Sequence, residues 1–394
     1  MDKTIGIACN ISTGKLDSNQ ANYDGKYPFF TCAEFPEKIN HFAYEDDVVL
    51  VAGNNARGNF HVNRYKGKFN AYQRTYILTA KAGYNIDYVY YALKLELKRL
   101  REKSQGSQTK FLTMPILTGI PFPNITYDKQ TEIVSVLKGI DQKIDLNNRI
   151  NTELEAMAKT LYDYWFVQFD FPDANGKPYK ASGGKMVFNP VLKREIPKGW
   201  SDKTLSQIAN ITMGQSPAGS SYNQEGIGTI FYQGSTDFGW LFPSTRQYTT
   251  APSRMAKKGD ILLSVRAPVG DMNIANTDCC IGRGLAGLNS KAGFDGFLFY
   301  VMKYFKQVFG RRNSEGTTFG SITKNDLHSL TLAYPTADLL EKYDEIVTSC
   351  NKIIFERSIE NCELTSLRDW LLPMLMNGQV TVKSSTEVQE AQHG

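Results

Sequence analysis

The feature that most constrains this chain of 394 residues is an internal repeat. Asp2-Lys3-Thr4-Ile5 returns as Asp202-Lys203-Thr204-Leu205, and CNISTGK at 9–15 returns as ANITMGQ at 209–215. Further along, EDDVVLV at 45–51 is matched by KGDILLS at 258–264, and DYVYYALK at 87–94 by DGFLFYVMK at 295–303. Gly106 and Thr113 are matched by Gly316 and Thr323, and Glu132-Ile133-Val134 by Glu345-Ile346-Val347. Each match alone is weak. Their common order, at an offset that drifts from 200 to 213 residues, reads as two diverged copies of one unit.

Both copies follow one plan. Apolar runs bounded by Gly, Asn and Pro (VVLVA at 48–52, TYIL at 75–78, ILLSV at 261–265) predict strands. An amphipathic helix follows, at about 86–102 and 294–308. A long helical pattern then closes each copy. In the first copy it runs from Lys129 to Trp165, with a heptad-like seam of Ile133, Leu137, Ile140, Ile144, Leu154, Ala158 and Leu161 broken midway by Asn147 and Asn151. In the second the seam reads Ile346, Cys350, Ile353, Leu364, Leu367, Leu371 and Met374, with Arg357 and Glu360 at the midpoint and a stop at Asn377-Gly378. Each helix spans on the order of 55–60 Å. Neither seam can bury itself alone. The economical solution packs the two helices together, antiparallel if the copies are related by a pseudo-twofold axis; separate helical partners or an oligomer interface are the alternative. The mid-seam polar residues are expected to set the register.

The fold class is therefore α+β: two pseudo-twofold-related mixed α/β domains joined by two long helices that form an antiparallel coiled-coil spacer. The expected boundaries are 1–127 and 201–336 for the domains, 128–165 and 337–378 for the helices, 166–200 for a Gly/Pro/Lys-rich linker without apolar period, and 379–394 for a disordered tail.

The net charge of +5 partitions along these boundaries: +5 and +4 on the domains, +3 on the linker, −2 and −4 on the helices, −1 on the tail. An acidic rod with a basic domain at each end is the expected picture, and the domains rather than the helices suit a polyanion. The start of the chain has no basic segment followed by an apolar one, no apolar run reaches the roughly 18 residues of a membrane helix, and the six cysteines show no CxxC spacing. Reduced thiols, a cytoplasmic location and no membrane partner are expected.

The motifs of catalysis are weak. GRGLAG at 282–287 fits GxGxxG, but no helical pattern opens after it and the matching YQRTYI lacks the glycines, so a turn or strand edge is expected. SGGKM at 182–186 is an incomplete phosphate loop, and four scattered histidines offer no metal pair. Cys279-Cys280 reads as part of a strand, and Asp47 and Asp260 as turn residues before strands. No catalytic or metal residue is assigned.

Two like domains at a fixed separation suit two sites on one extended ligand, and DNA is such a ligand. Lys and Arg neutralise phosphates, Arg reads guanine, and Asn or Gln reads adenine. The candidate DNA-binding residues lie in loops after the glycines: Lys15, Asn54, Asn55 and Arg57 in the first copy, and Gln215, Ser216, Arg254 and Arg266 in the second. Arg74 and Arg283 fall at matching positions, and Lys110 and Lys324 lie beside the matched threonines. The polar loops differ between copies (AGNNARGNF against VRAPVGDMN), so a split, non-palindromic site with an unread spacer is expected. An adaptor for acidic proteins and an enzyme with an unrecognised site are the alternatives.

The segments KGDILLSVRAPVG at 258–270, GSITKNDLHSLTLAYP at 320–335, LYDYWFVQFDFP at 161–172 and REIPKGW at 194–200, within the two-copy plan, resemble the specificity subunit of type I restriction–modification systems over about residues 2–378. The resemblance implies two target-recognition domains on a two-helix spacer. It further implies methyltransferase subunits that dock on them and bring S-adenosylmethionine, and a motor-nuclease subunit, where one exists, that brings ATP and magnesium. The chain itself would bind double-stranded DNA, choose the sequence, hold no cofactor and catalyse nothing.

Overall fold

The computed structural model describes residues 3–55, 60–103, 111–314 and 321–382. Arg57, Gly106, Lys110, Gly316 and most of the 379–394 tail lie outside them. Four main helices are present among the described residues: α1 (Ile86–Lys103), α2 (Tyr127–Tyr162), α3 (Asp295–Ser314) and α4 (Ala337–Met376). The chain divides into two compact units, Met1–Leu146 with Glu360–Gly394, and Asn147–Ile359, so each long helix gives one half to each unit.

In the first unit, β1 (Cys9–Thr13), β2 (Tyr27–Phe30), β3 (Glu37–Ile39), β4 (Tyr44–Ala52), β5 (Val62–Ala71) and β6 (Thr75–Ala80) form a six-stranded sheet in the order β1-β6-β4-β5-β2-β3. The run VVLVA is continuous because both faces of β4 are covered. Val49 and Val51 pack with Leu78 against Tyr88, Val89 and Ala92 of α1, while Val48 and Leu50 pack with Phe30, Phe69 and Ile77. Asp87 ties three elements together, accepting from Arg64 Nε of β5 at 2.7 Å and from Lys138 Nζ of α2 at 2.8 Å. Burial of its carboxyl works to raise the pKa, but Lys138 and Arg64 outweigh it and hold the group below its usual value. The stability this gives is present above the ordinary carboxylate range and is lost as pH falls through the lowered value.

The second unit repeats the frame. The strands of its two larger sheets are β7 (Ala209–Met213), β8 (Tyr222–Asn223), β9 (Thr229–Tyr232), β10 (Tyr248–Thr249), β11 (Met255–Ala256), β12 (Ile261–Ser264), β13 (Met272–Ile274), β14 (Cys279–Ile281) and β15 (Leu285–Ser290). The order β7-β15-β12-β13 reproduces β1-β6-β4-β5. The copies diverge at the outer strand. Phe29 and Phe30 pair in parallel with Asn70 and Ala71, the end of the long β5, and Phe231 and Tyr232 pair in parallel with Cys280 and Ile281. In the second unit the long strand is broken into β13 and β14, so one six-stranded sheet becomes sheets of four and five strands. Cys279 and Cys280 are buried strand residues, and burial pushes the Cys279 thiol up to about 12. Asp260 does sit in the turn before β12, accepting from Lys257 N at 2.8 Å. Asp47 lies inside β4 instead, ion-paired with Arg64.

The two long helices run antiparallel in each unit. In the second, Arg357 Nη1 donates to Asn147 Oδ1 at 2.9 Å, and Tyr343 Oη donates to the Ala158 carbonyl at 3.3 Å. In the first, Arg368 Nη1 donates to Asp141 Oδ1 at 2.9 Å, and Lys143 meets Glu360 at 3.3 Å. Leu137 and Ile133 of α2 are buried with Leu372, Leu375 and Met376 of α4. Ile140, Ile144, Leu154 and Leu161 are half-buried. The α4 seam is displaced by one residue from the expected one. Ile346, Ile353 and Leu367 are 45%, 40% and 44% exposed, whereas Val347, Ile354 and Leu372 are buried; Cys350, Leu364, Leu371 and Met374 are intermediate. At 346–347, 353–354 and 371–372 two apolar residues stand side by side, so the apolar period alone does not choose between them. Asn147 and Asn151 are fully buried rather than gaps in the seam, with Asn151 Nδ2 donating to Ser358 Oγ at 3.3 Å.

The segment 166–200, expected to be a linker, is packed structure. After α2, a π-helical turn (Asp163–Val167) buries Trp165 and Phe166. Phe169, at φ 69°, turns the chain and sets its ring edge-on to Trp200 at 5.3 Å. The strands Met186–Asn189 and Arg194–Pro197 form an antiparallel hairpin. Aromatic contacts without periodicity hold this segment, which is why no apolar period announces it.

Candidate nucleic-acid interface

The repeat places one equivalent edge in each unit, and a glycine builds it. β7 is followed by Gly214, whose N–H donates to the Leu285 carbonyl at 2.9 Å, and Gln215 N donates to Ile281 O at 3.0 Å. A Cβ at Gly214 would stand 2.1 Å from Gly282 O. β1 is followed by Gly14 in the same way: Gly14 N donates to Thr75 O at 3.0 Å, Lys15 N to Ala71 O at 3.2 Å, and a Cβ would stand 2.2 Å from Ala71 O. Gly214→Ala is therefore expected to cost about 1–3 kcal/mol through overpacking. Thermal unfolding reads it, and an unchanged midpoint would contradict the close approach.

In the second unit the turn Gly282-Arg283-Gly284 crosses this edge and joins β14 to β15. Added side chains at Gly282 and Gly284 would meet Gln233 Cα at 2.9 Å and Gln233 O at 2.7 Å, so the backbone is clamped there and the exposed Arg283 is carried on it. Ser216 Oγ accepts from Arg283 N at 3.3 Å and from Gln233 Nε2 at 2.9 Å. Ser253 Oγ donates to Gln215 O at 2.5 Å, Ile281 N donates to Arg254 O at 2.9 Å, and Val265 N donates to Gly284 O at 2.9 Å. Arg266 bridges to Ser321, and Lys324 opens the short helix Lys324–Ser329 capped by Thr323. Five chain segments thus bring Gln215, Ser216, Arg254, Arg266, Arg283 and Lys324 to one hydrogen-bonded border. Arg254, Arg266, Arg283 and Lys324 are exposed and meet no carboxylate among the described residues.

In the first unit the same border holds Lys15, Asn54, Asn55 and Arg74. Gly53 N donates to Arg74 O at 2.8 Å, Asn54 bridges to Phe111, and the Arg74 guanidinium lies 5.7 Å from the centre of the Phe111 ring. Arg57 and Lys110 lie outside the described residues. The hydrogen bonds also correct the pairing of the copies. Gly14 bonds to Thr75 as Gly214 bonds to Leu285, and Gly53 meets Arg74 as Val265 meets Gly284. The counterpart of Arg283 is therefore Gln73, and Arg74 takes the place of Gly284. Gln73, with Nε2 donating to Asp17 Oδ1 at 3.0 Å, stands at this border, as do Gln233 and Ser253 in the second unit, and none of the three is among the candidates that the sequence offers. The Gly14/Gly214 match, carried forward with the 210 spacing of Thr113 and Thr323, was the signal that finds Gln73.

Among the described residues no group of three His, Cys, Asp or Glu side chains could hold a metal ion, and no helix is long and apolar enough to cross a membrane.

A family model described as the type I restriction modification DNA specificity domain matches residues 2–156 and 197–356. The "Putative type I restriction enzyme MjaX specificity subunit" of Methanocaldococcus jannaschii is 32% identical over 323 residues, which cover 81% of this chain and 70% of that one. The type I restriction enzyme EcoDI specificity subunit of Escherichia coli is 31% identical over 221 residues, 52% of this chain and 48% of that one. The crystal structure of the type I restriction–modification S subunit from M. genitalium shares the fold, with a TM-score of 0.59 at 17% identity over 95% of both chains.

Proposed function

The chain belongs to the DNA specificity subunits of type I restriction–modification systems, and on that premise we propose that it reads a split, asymmetric duplex site, one half with each unit. The observation that carries this is the shared edge with different side chains. At one backbone position the first unit offers Gln73 and the second Arg283, a residue that pairs with adenine N6/N7 and one that pairs with guanine O6/N7. Neighbouring cations (Lys15 and Arg74; Arg254 and Lys324) would hold the phosphates that fix the register, while Arg266 faces the same half-site as Arg283.

Catalysis is assigned to the partners. Methyltransferase subunits supply S-adenosylmethionine and flip the target adenines, a motor-nuclease subunit supplies ATP and magnesium, and this chain works beside them in the cytoplasm without a cofactor of its own. A trough of about 490 Å³ on the paired helices of the second unit, with Met157 61% exposed and Tyr164 and Ile346 beside it, supports docking of a methyltransferase subunit there. Met157→Lys is expected to lower co-purification of that subunit at least several-fold while leaving thermal unfolding of the chain unchanged; undiminished co-purification contradicts the assignment.

The direct test of the function is duplex binding by the chain assembled with its methyltransferase subunits. Affinity for the cognate site should fall with salt at a log–log slope of about −0.9 per phosphate neutralised. No sequence preference at moderate salt would instead favour an adaptor for acidic proteins.

A further inference from the structure

The first unit carries a second basic surface that is not repeated among the described residues of the second unit. A groove of about 470 Å³ is lined along one side by Lys94, Lys98 and Arg101 of α1. Residues at these spacings share a helix face. The other side is formed by Phe60 and His61, just before β5, and by Phe35, which is 75% exposed. Lys94 Nζ donates to Tyr90 Oη at 3.2 Å, and neither Lys94 nor Lys98 meets a carboxylate among the described residues, although Glu34 lines the same groove. Other cations of this unit are paired locally, as Arg99 is with Glu96 and Lys138 with Asp87.

The matched helix of the second unit shows the contrast. Lys303, the counterpart of Lys94, is ion-paired with Glu155, and Lys306 Nζ meets Asp271 Oδ1 at 2.7 Å. The place of Lys98 is taken by Gln307. The basic row therefore does not belong to the repeated frame. It adjoins the recognition edge, because Ala52 N donates to His61 O at 2.9 Å and the next residue, Gly53, donates to Arg74 O at 2.8 Å.

We propose that this groove holds the phosphate backbone of the duplex beside the half-site read by the first unit, with Lys94 and Lys98 neutralising phosphates and Phe35 packing on a sugar or an unstacked base. The contact adds affinity and carries no sequence information. It rests on the DNA-reading function above, and one experiment separates the two.

The chain assembled with its methyltransferase subunits is titrated with salt on the cognate duplex and on an unrelated duplex, as wild type, as the Lys94→Gln/Lys98→Gln double variant and as Lys98→Glu. The double variant should flatten the log–log salt slope by about 2, since each lost phosphate contact removes about 0.9. Its affinity should fall by the same factor on both duplexes, and its methylated motif should stay the same. Lys98→Glu, a single exposed change, should weaken binding to both duplexes in the same way and keeps the test open should the double variant fold poorly. Wild-type slopes on both duplexes for both variants overturn the groove proposal. Loss of methyltransferase co-purification at an unchanged slope also overturns it, by making the groove a protein-binding surface. A wild-type assembly without any sequence preference would overturn the DNA-reading function itself.

Discussion

Arg283→Ala is expected to relax base choice in one half of the recognition site and leave the other half as it was. A bidentate arginine–guanine contact discriminates by about 1–3 kcal/mol, so preference at a single position should fall by roughly one to two orders of magnitude. The local structure makes this a clean experiment. The turn that carries Arg283 is held through its glycines against Gln233 and through its backbone N–H to Ser216, and none of these depends on the guanidinium. Gln73→Ala should give the mirror result in the other half, because the hydrogen bonds of Gly14 and Gly53 place Gln73 at the same position of the frame. Arg266→Ala, at the neighbouring bridge to Ser321, should act on the same half as Arg283→Ala. Selection of bound duplexes from a random pool reads all three. Equal loss in both halves, or no change, contradicts the pairing of one unit with one half-site.

The second large effect lies in the paired helices and separates adjacent residues. Ile354 is buried and Ile353 is 40% exposed. Ile354→Asp removes a buried side chain, worth about 2–5 kcal/mol as a cavity, and adds a carboxylate with no partner to offset its desolvation. That approaches the whole stability of a typical domain, about 5–15 kcal/mol. The variant should unfold near room temperature or fail to accumulate, and site recognition should go with it. Ile353→Asp, one residue earlier, should shift stability by about 1 kcal/mol or less, as exposed substitutions do. Urea unfolding of the two variants decides the register; the opposite ranking would restore the seam that the apolar period alone suggests.

These two experiments fall where sequence and structure part. The frame was legible because periodicity and repetition are properties of the sequence itself. α1 and α2 lie within a few residues of their expected bounds, Gly378 ends α4 at φ 71° as a C-terminal glycine should, and the sheet order β1-β6-β4-β5 recurs as β7-β15-β12-β13. The α4 seam was not legible, because Ile353 and Ile354 fit the same stripe until a partner helix chooses one. The segment 166–200 was not legible either. Phe166, Phe169, Phe171 and Trp200 form one aromatic cluster with no spacing rule. At the candidate interface, residue types and glycines were readable, whereas the partnership of Arg283 with Gln73 needed the backbone hydrogen bonds. The acidic helices and basic domains were visible in the charge partition, but the row of Lys94 and Lys98 became a surface only when Phe35 and Phe60 were placed opposite it.

The central claim, that this chain chooses the DNA sequence its partners modify, is tested most directly by methylome sequencing of the host with the chain intact, deleted and carrying Arg283→Ala. The account predicts a bipartite adenine-methylated motif that vanishes on deletion and returns, degenerate in one half only, with the variant. A methylome that is the same in all three would contradict it.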